Sequence, residues 1–98
     1  MKYRMVRFRV RAREVAAAEK AIIEFVGQVA DEPGTLRYDA YKEADGQTFV
    51  HVMTFTGAQS EVDHRETPYA KAFVAKLRPL CEVEPEFIEI AKVAGSGR

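Results

Sequence analysis

Residues Thr48 to Phe55 spell TFVHVMTF, a β-rich run that is apolar on both of its faces. At a period of two, Phe49, His51, Met53 and Phe55 share one face, and Val50 and Val52 share the other. A strand of this kind needs cover on both sides, because bare apolar surface on either side is unfavourable in water. The helical segments of the chain suffice to cover one side. Something outside the monomer must cover the second.

The remaining segments are readable from period and punctuation. Residues 3 to 12 alternate, with Val6, Phe8, Val10 and Ala12 on one face and Met5, Arg7, Arg9 and Arg11 on the other, which predicts a strand. From Glu14 to Ala30 the period lengthens: Val15, Ala18, Ile22, Phe25 and Val29 recur every three or four residues, the stripe of an amphipathic helix. Asp31-Glu32-Pro33-Gly34 ends it, since proline cannot continue a helix and glycine permits the reversal. Thr35 to Lys42 and Thr48 to Phe55 then pair as a hairpin about Asp45-Gly46. Thr56 is expected to cap a short helix ending near Arg65, with Gln59 completing a capping box. Thr67-Pro68 opens a further helix, whose stripe is Tyr69, Phe73, Leu77 and Leu80 and which Pro79 bends or ends. Phe87 to Val93 is the last expected strand, with Ile88/Ile90 and Phe87/Ala91 competing for its core face. Residues 1–94 are expected to form one domain and 95–98 a frayed tail.

The order β-α-β-β-α-α-β, joined by right-handed crossovers, gives an α+β, ferredoxin-like fold: a four-stranded antiparallel sheet with helices on one face. The first and third strands are then central, and the first lies beside the last. Charge agrees with this. Lys2, Arg4, Arg7, Arg9, Arg11 and Arg13 precede the first acid, while Glu82, Glu84, Glu86 and Glu89 crowd the other end, so neighbouring strands neutralise each other. A phosphate or RNA track is the competing reading of those arginines, but no Gly-rich phosphate loop accompanies them. The open face, with Arg7, Arg9, Val50 and Val52, is expected to pack on the same face of a second copy as a homodimer.

Fifteen basic and fifteen acidic residues cancel, so no global field draws the chain to nucleic acid or to an anionic membrane. No apolar run approaches the roughly 18 residues of a membrane span, and the charged N-terminus lacks a signal-peptide core, so the cytoplasm is the expected location. The single cysteine, Cys81, allows neither an internal disulfide nor a cysteine-based zinc site, and reads as a small buried hydrophobe.

Both histidines fall where chemistry is possible. His64 sits at the end of a short helix, where the negative dipole end favours its protonated form; it either serves a site or caps that helix. His51 lies on the apolar strand face, either as a packed core residue or as a proton carrier suited to neutral pH. The topology places the two over one patch of sheet. Tyr38 and Tyr69 could donate to a bound oxyanion or fill the core with their hydroxyls at its rim. Met53, Phe55 and Phe73 would line any cavity, and Arg65 is the cation to inspect if the ligand is phosphorylated. With no carboxylate evident opposite the histidines, no metal site is expected.

Taken together, Glu32-Pro33-Gly34-Thr35-Leu36-Arg37-Tyr38, the run Phe49-Val50-His51-Val52, and His64 followed by Thr67-Pro68-Tyr69 and Phe73 resemble the antibiotic biosynthesis monooxygenase superfamily. The resemblance covers nearly the whole chain in element order. It implies a dimeric α/β barrel, with a small-molecule pocket in each protomer between the sheet and its own helices. It also implies oxidation of a quinol or polyphenol by oxygen without metal, haem or flavin. In these terms His64 and His51 are the catalytic candidates, and Tyr38, Met53, Phe55, Tyr69, Phe73 and Arg65 bind substrate. Many members carry Glu-x-Trp where this chain has Met53 and Phe55, and the chain has no tryptophan. The segments Leu36-Arg37-Tyr38-Asp39 and His64 to Pro68 are also similar to phospho-autoinducer-2 isomerases. That similarity implies enolisation of a small phosphorylated compound, and a non-catalytic carrier of small aromatics is a third reading.

Overall fold

The computed structural model describes residues 1–97. Arg98, the end of the tail expected at 95–98, lies outside the described residues. The elements are β1 (Lys2–Arg9), α1 (Val15–Val29), β2 (Thr35–Lys42), β3 (Thr48–Phe55), α2 (Ala58–Glu66), α3 (Pro68–Leu77) and β4 (Glu86–Ile90). Short 3-10 turns at Ala12–Glu14 and Arg78–Leu80 flank α1 and α3. The strands form one antiparallel sheet in the order β2-β3-β1-β4, with the helices on one face: the ferredoxin-like arrangement.

Register fixes which side chains share a face. Phe8 pairs with Phe49, Val6 with His51 and Arg4 with Met53, so these six face the helices. Met5 pairs with Val52 and Arg7 with Val50, and these face away. The helix side holds the core. Phe8 and Phe49 stack at 5.5 Å, and α1 lays Ala18, Ala21, Ile22, Phe25 and Val29 onto the sheet, all of them buried. On the outer face Met5, Val50, Val52, Ile88 and Ile90 are half-buried.

Local chemistry explains the boundaries. Gly46 adopts φ +74° in the hairpin turn, a conformation that favours glycine. Beside it the Asp45 carboxylate accepts from the backbone N–H groups of Gln47 and Thr48 and from the Thr48 hydroxyl. These three bonds, led by that from the Thr48 side chain, depress the Asp45 pKa to about 2. At the start of α3 the Thr67 hydroxyl accepts from Ala70 N–H at 3.2 Å with Pro68 at the first helical position, as the sequence predicts.

Three expectations need correction. The cap of α2 is one residue later than expected: the helix begins after Gly57, and the Ser60 hydroxyl, not Gln59, accepts from Gly57 N–H at 3.0 Å. Thr56 serves that cap indirectly, through a 2.7 Å hydrogen bond to Ser60. β1 stops at Arg9 and β4 at Ile90, so Ala12 and Val93 both lie outside strands. Of the two sets competing in β4, it is Phe87 that turns toward the helices beside Val6, while Ile88 and Ile90 pair with Met5 and Tyr3 on the outer face. Charge neutralisation is only partly between the terminal strands. Arg4–Glu89 and Arg9–Glu82 pair at 3.3 and 3.2 Å, but Arg7 bonds Glu43 in the hairpin and Arg4 bonds Glu61 on α2 more closely.

Gly34 joins the turn after α1 to α2. Its carbonyl accepts from Thr56 N–H at 2.9 Å, and a Cβ added there would fall 2.4 Å from Ser60 Cβ. Because the obstructing atom sits next to helix backbone, it has little room to yield. Gly34→Ala should therefore cost about 1–3 kcal/mol in urea unfolding; an unchanged midpoint would show that α2 can move away freely.

Candidate active site

The turn that ends α1 places Glu32 beneath the C-terminal end of α2. Its carboxylate, mostly buried, collects three side-chain donors from three elements. Thr35 Oγ1 at the start of β2 donates to Oε1 at 2.7 Å, His64 Nδ1 on α2 lies 2.8 Å from the same oxygen, and the Tyr69 hydroxyl on α3 donates to Oε2. Burial alone raises the pKa of Glu32, but the bonds from Thr35, Tyr69 and His64 outweigh it, and the group is held below its ordinary value. A carboxylate only accepts, so the hydrogen between them is on His64 Nδ1, and in the neutral ring Nε2 keeps its lone pair. The Tyr69 hydroxyl, desolvated and committed to Glu32, is pushed up to about 12.

The second histidine is in the opposite environment. His51 is 1% exposed, between Phe8 and Phe73, and among the described residues its one side-chain hydrogen-bond partner is the Tyr38 hydroxyl at 2.8 Å from Nδ1. Burial depresses its pKa to about 4, so the ring is neutral at physiological pH. Burial likewise raises the Tyr38 hydroxyl far above its ordinary range, keeping it protonated and able to donate to Nδ1. With Nδ1 as acceptor, the ring hydrogen resides on Nε2, a buried atom without a hydrogen-bond partner among the described residues.

Both histidines line one cavity of about 760 Å³, between the sheet and the helices, within the size range of small-molecule sites. Tyr38 stands between them, its ring 5.5 Å from His51 and 5.8 Å from His64. Met53, Phe55, Phe73 and Arg65 also line it. Tyr69 does not; its hydroxyl is turned to Glu32. Residues not singled out in the sequence contribute as well. Phe25 stacks on Phe73 at 4.2 Å, while Arg4 binds Glu61 through two hydrogen bonds of 2.6 and 3.0 Å at the cavity wall. The expectation that no carboxylate faces the histidines is overturned by Glu32. That carboxylate orients His64, however, and among the described residues no three His, Cys, Asp or Glu side chains gather as a metal site.

This geometry is now comparable with known proteins. The antibiotic biosynthesis monooxygenase profile matches residues 1–76. The chain belongs to that family. No curated protein sequence matches it. Among solved structures, a candidate antibiotic biosynthesis monooxygenase from Nitrosomonas europaea is 19% identical with a TM-score of 0.90, over 96% of this chain and 100% of its own. Rv0793 from Mycobacterium tuberculosis is 20% identical with a TM-score of 0.89, over 98% of each chain. PA3566 from Pseudomonas aeruginosa is 16% identical with a TM-score of 0.86, over 95% of this chain and 94% of its own. At these identities the likeness establishes the fold. The family membership supports a monooxygenase-like role at the level of the family, and no helix among the described residues is long and apolar enough to cross a membrane.

The two ring environments have a measurable consequence. Unfolded, His51 takes up a proton near pH 6.5; folded, it does so only near pH 4. Stability from this residue is thus full above pH 6.5 and is lost as pH falls toward 4, by about 3 kcal/mol in all. Glu32 adds a loss in the same direction, beginning below its ordinary range. NMR titration should show the His51 ring unprotonated at pH 5, with unfolding free energy already declining there. A His51 resonance titrating near 6.5 would refute the buried, neutral assignment.

Proposed function

We propose that this protein is a cofactor-independent monooxygenase of a small quinol or polyphenol, with His64 as the base. The observation carrying this reading is the pairing, across one apolar cavity, of a carboxylate-oriented His64 with a neutral Tyr38–His51 couple. His64 Nε2 takes the phenolic proton, and Glu32 stabilises the imidazolium that forms. With the Tyr38 hydroxyl donating to Nδ1, the His51 Nε2–H is the donor available to the substrate oxyanion. A ligand oxygen would satisfy the buried Nε2–H, which has no hydrogen-bond partner among the described residues. Phe25, Met53, Phe55 and Phe73 keep the anion dry, which raises its tendency to surrender an electron to oxygen. The quinol and one O2 give the hydroxylated quinone and one water. One oxygen atom forms the new C–O bond, the other leaves as water, and the substrate supplies all four electrons.

The half-exposed Met5, Val50, Val52, Ile88 and Ile90 support a homodimer through the outer sheet face, closing an α/β barrel. Cys81, a free buried thiol, fits a reducing compartment, and we take the cytoplasm as the location. Val52→Asp should convert the dimer to monomer in sedimentation equilibrium, whereas a persisting dimer would move the interface elsewhere.

Arg65 in the cavity wall favours a second reading, isomerisation of a small phosphorylated compound, although a cavity of about 760 Å³ is spacious for it. A carrier of small aromatics would bind without converting. Oxygen-electrode assays of metal-stripped protein on a quinol panel separate the three. We expect uptake matched one-to-one by hydroxyquinone, reduced about 10²-fold or more in His64→Ala and at least about tenfold in Glu32→Gln. Uptake unaffected by either substitution would remove His64 from the chemistry. Conversion without uptake would favour the isomerase.

A further inference from the structure

The rim of the cavity carries charge of one sign that the chemistry inside does not use. α3 and its C-cap present Lys71, Val74, Ala75 and Arg78 along the cavity at helical spacing, and α2 adds Arg65 one turn beyond Glu61. The charged side chains in the lining are Arg4, Glu61, Arg65, Lys71 and Arg78. Arg4 and Glu61 neutralise each other through their paired bonds of 2.6 and 3.0 Å. The remaining three are all cations.

Two of these have partners, and neither partner faces the cavity. Lys71 meets Glu66 at 3.1 Å and Arg78 meets Glu84 at 3.8 Å, with every side chain in both pairs more than half exposed. Pairs so exposed are weak, so an incoming anion can displace them. The cationic rim runs about 10 Å along the helix from Lys71 to Arg78. Inward of it the walls are the rings of Phe25, Phe55 and Phe73 with Met53. The cavity therefore has an aromatic interior and a positive edge, and its volume exceeds the needs of a single phenol ring.

We propose that the site selects aromatic ligands bearing a carboxylate, with the ring system among the phenylalanines and the carboxylate received by the rim of Arg65, Lys71 and Arg78. This names the substrate class of the oxygenase reading and rests on it for the orientation of the phenol toward His64. The anion preference itself is a separate property. Guanidinium groups suit the partner, because they form paired, charge-assisted bonds with a carboxylate.

The test compares a dihydroxynaphthoate with its methyl ester, a matched pair differing in one charge. Binding is measured anaerobically by calorimetry, so that oxidation does not intervene. The wild-type protein should prefer the acid by about tenfold or more, with the preference shrinking as salt is raised. In Arg65→Gln/Lys71→Gln/Arg78→Gln the acid-to-ester preference should fall to near unity. All three positions are exposed, so folding should survive, and far-UV circular dichroism checks it. Equal affinity for acid and ester in the wild type, or a preference that survives in the triple variant, would overturn the proposal. Oxygen uptake then separates it from the reading beneath it. An ester consumed as readily as it is bound, with no acid preference, would leave the oxygenase standing and the anion rim refuted. A strong acid preference with no uptake from either compound would do the reverse.

Discussion

A single carboxylate, that of Glu32, ties together the parts of this fold that form its cavity. Its three donors come from the start of β2, the end of α2 and the first turn of α3. A mostly buried carboxylate with unsatisfied oxygens would be costly or would take up a proton. Satisfied three times over, it remains an anion despite its desolvation, and each bond positions a different element. The turn Asp31-Glu32-Pro33-Gly34 does more than stop a helix. Gly34 brings the turn against Ser60 on α2, close enough that no side chain fits between, and Glu32 is thereby held under His64. Backbone contact and charge act at the same joint.

The two histidines of one cavity meet different surroundings. His51 is hemmed in by Phe8, Phe73 and Tyr38, with no charge to offset burial, so its neutral form wins. His64 is almost as buried, but a carboxylate faces it at 2.8 Å, giving any proton it gains a counter-charge. The difference lies in partner, not in depth. It follows from register: β3 turns His51 toward the helix layer at a point where β1 offers Val6 and Phe8, and β2 offers Ala40 and Tyr38. Only the tyrosine can bond, and it reaches Nδ1 alone.

Much of this was legible in the sequence because it rests on period and punctuation. The two-sided β3 run, the α1 stripe from Val15 to Val29 and the Thr67-Pro68 start each announce themselves over several residues, and strand order follows from connection rules. The pairing of His51 with Phe49, Met53 and Phe55 on one face needed nothing more. The role of Glu32 was not legible. In sequence it is one charged residue of a turn, and only tertiary packing reveals that His64, thirty-two positions later, lands on it. Arg4 was hidden for the same reason: it sits among strand arginines that face outward or pair locally, yet alternation sends it to the helix side, where Glu61 meets it. The end of β4 is not legible either: Phe87 to Val93 is rich enough in β-formers to read as one strand, whereas the ladder beside β1 stops at Tyr3–Ile90.

That short last strand links the cavity to the outer face. β4 has five residues, and the side chains it turns toward the helices, Phe87 and Glu89, remain exposed. α1 lies close on the sheet, aided by the small residues Ala18 and Ala21, while α3 stands off and leaves the space between Phe73, Leu77 and Phe87 unfilled. The same strand places Ile88 and Ile90 with Met5 and Val52 on the opposite face, away from the helices of the described residues. The edge strand thus borders both a cavity of about 760 Å³ on the helix side and the half-buried apolar side chains of the outer face.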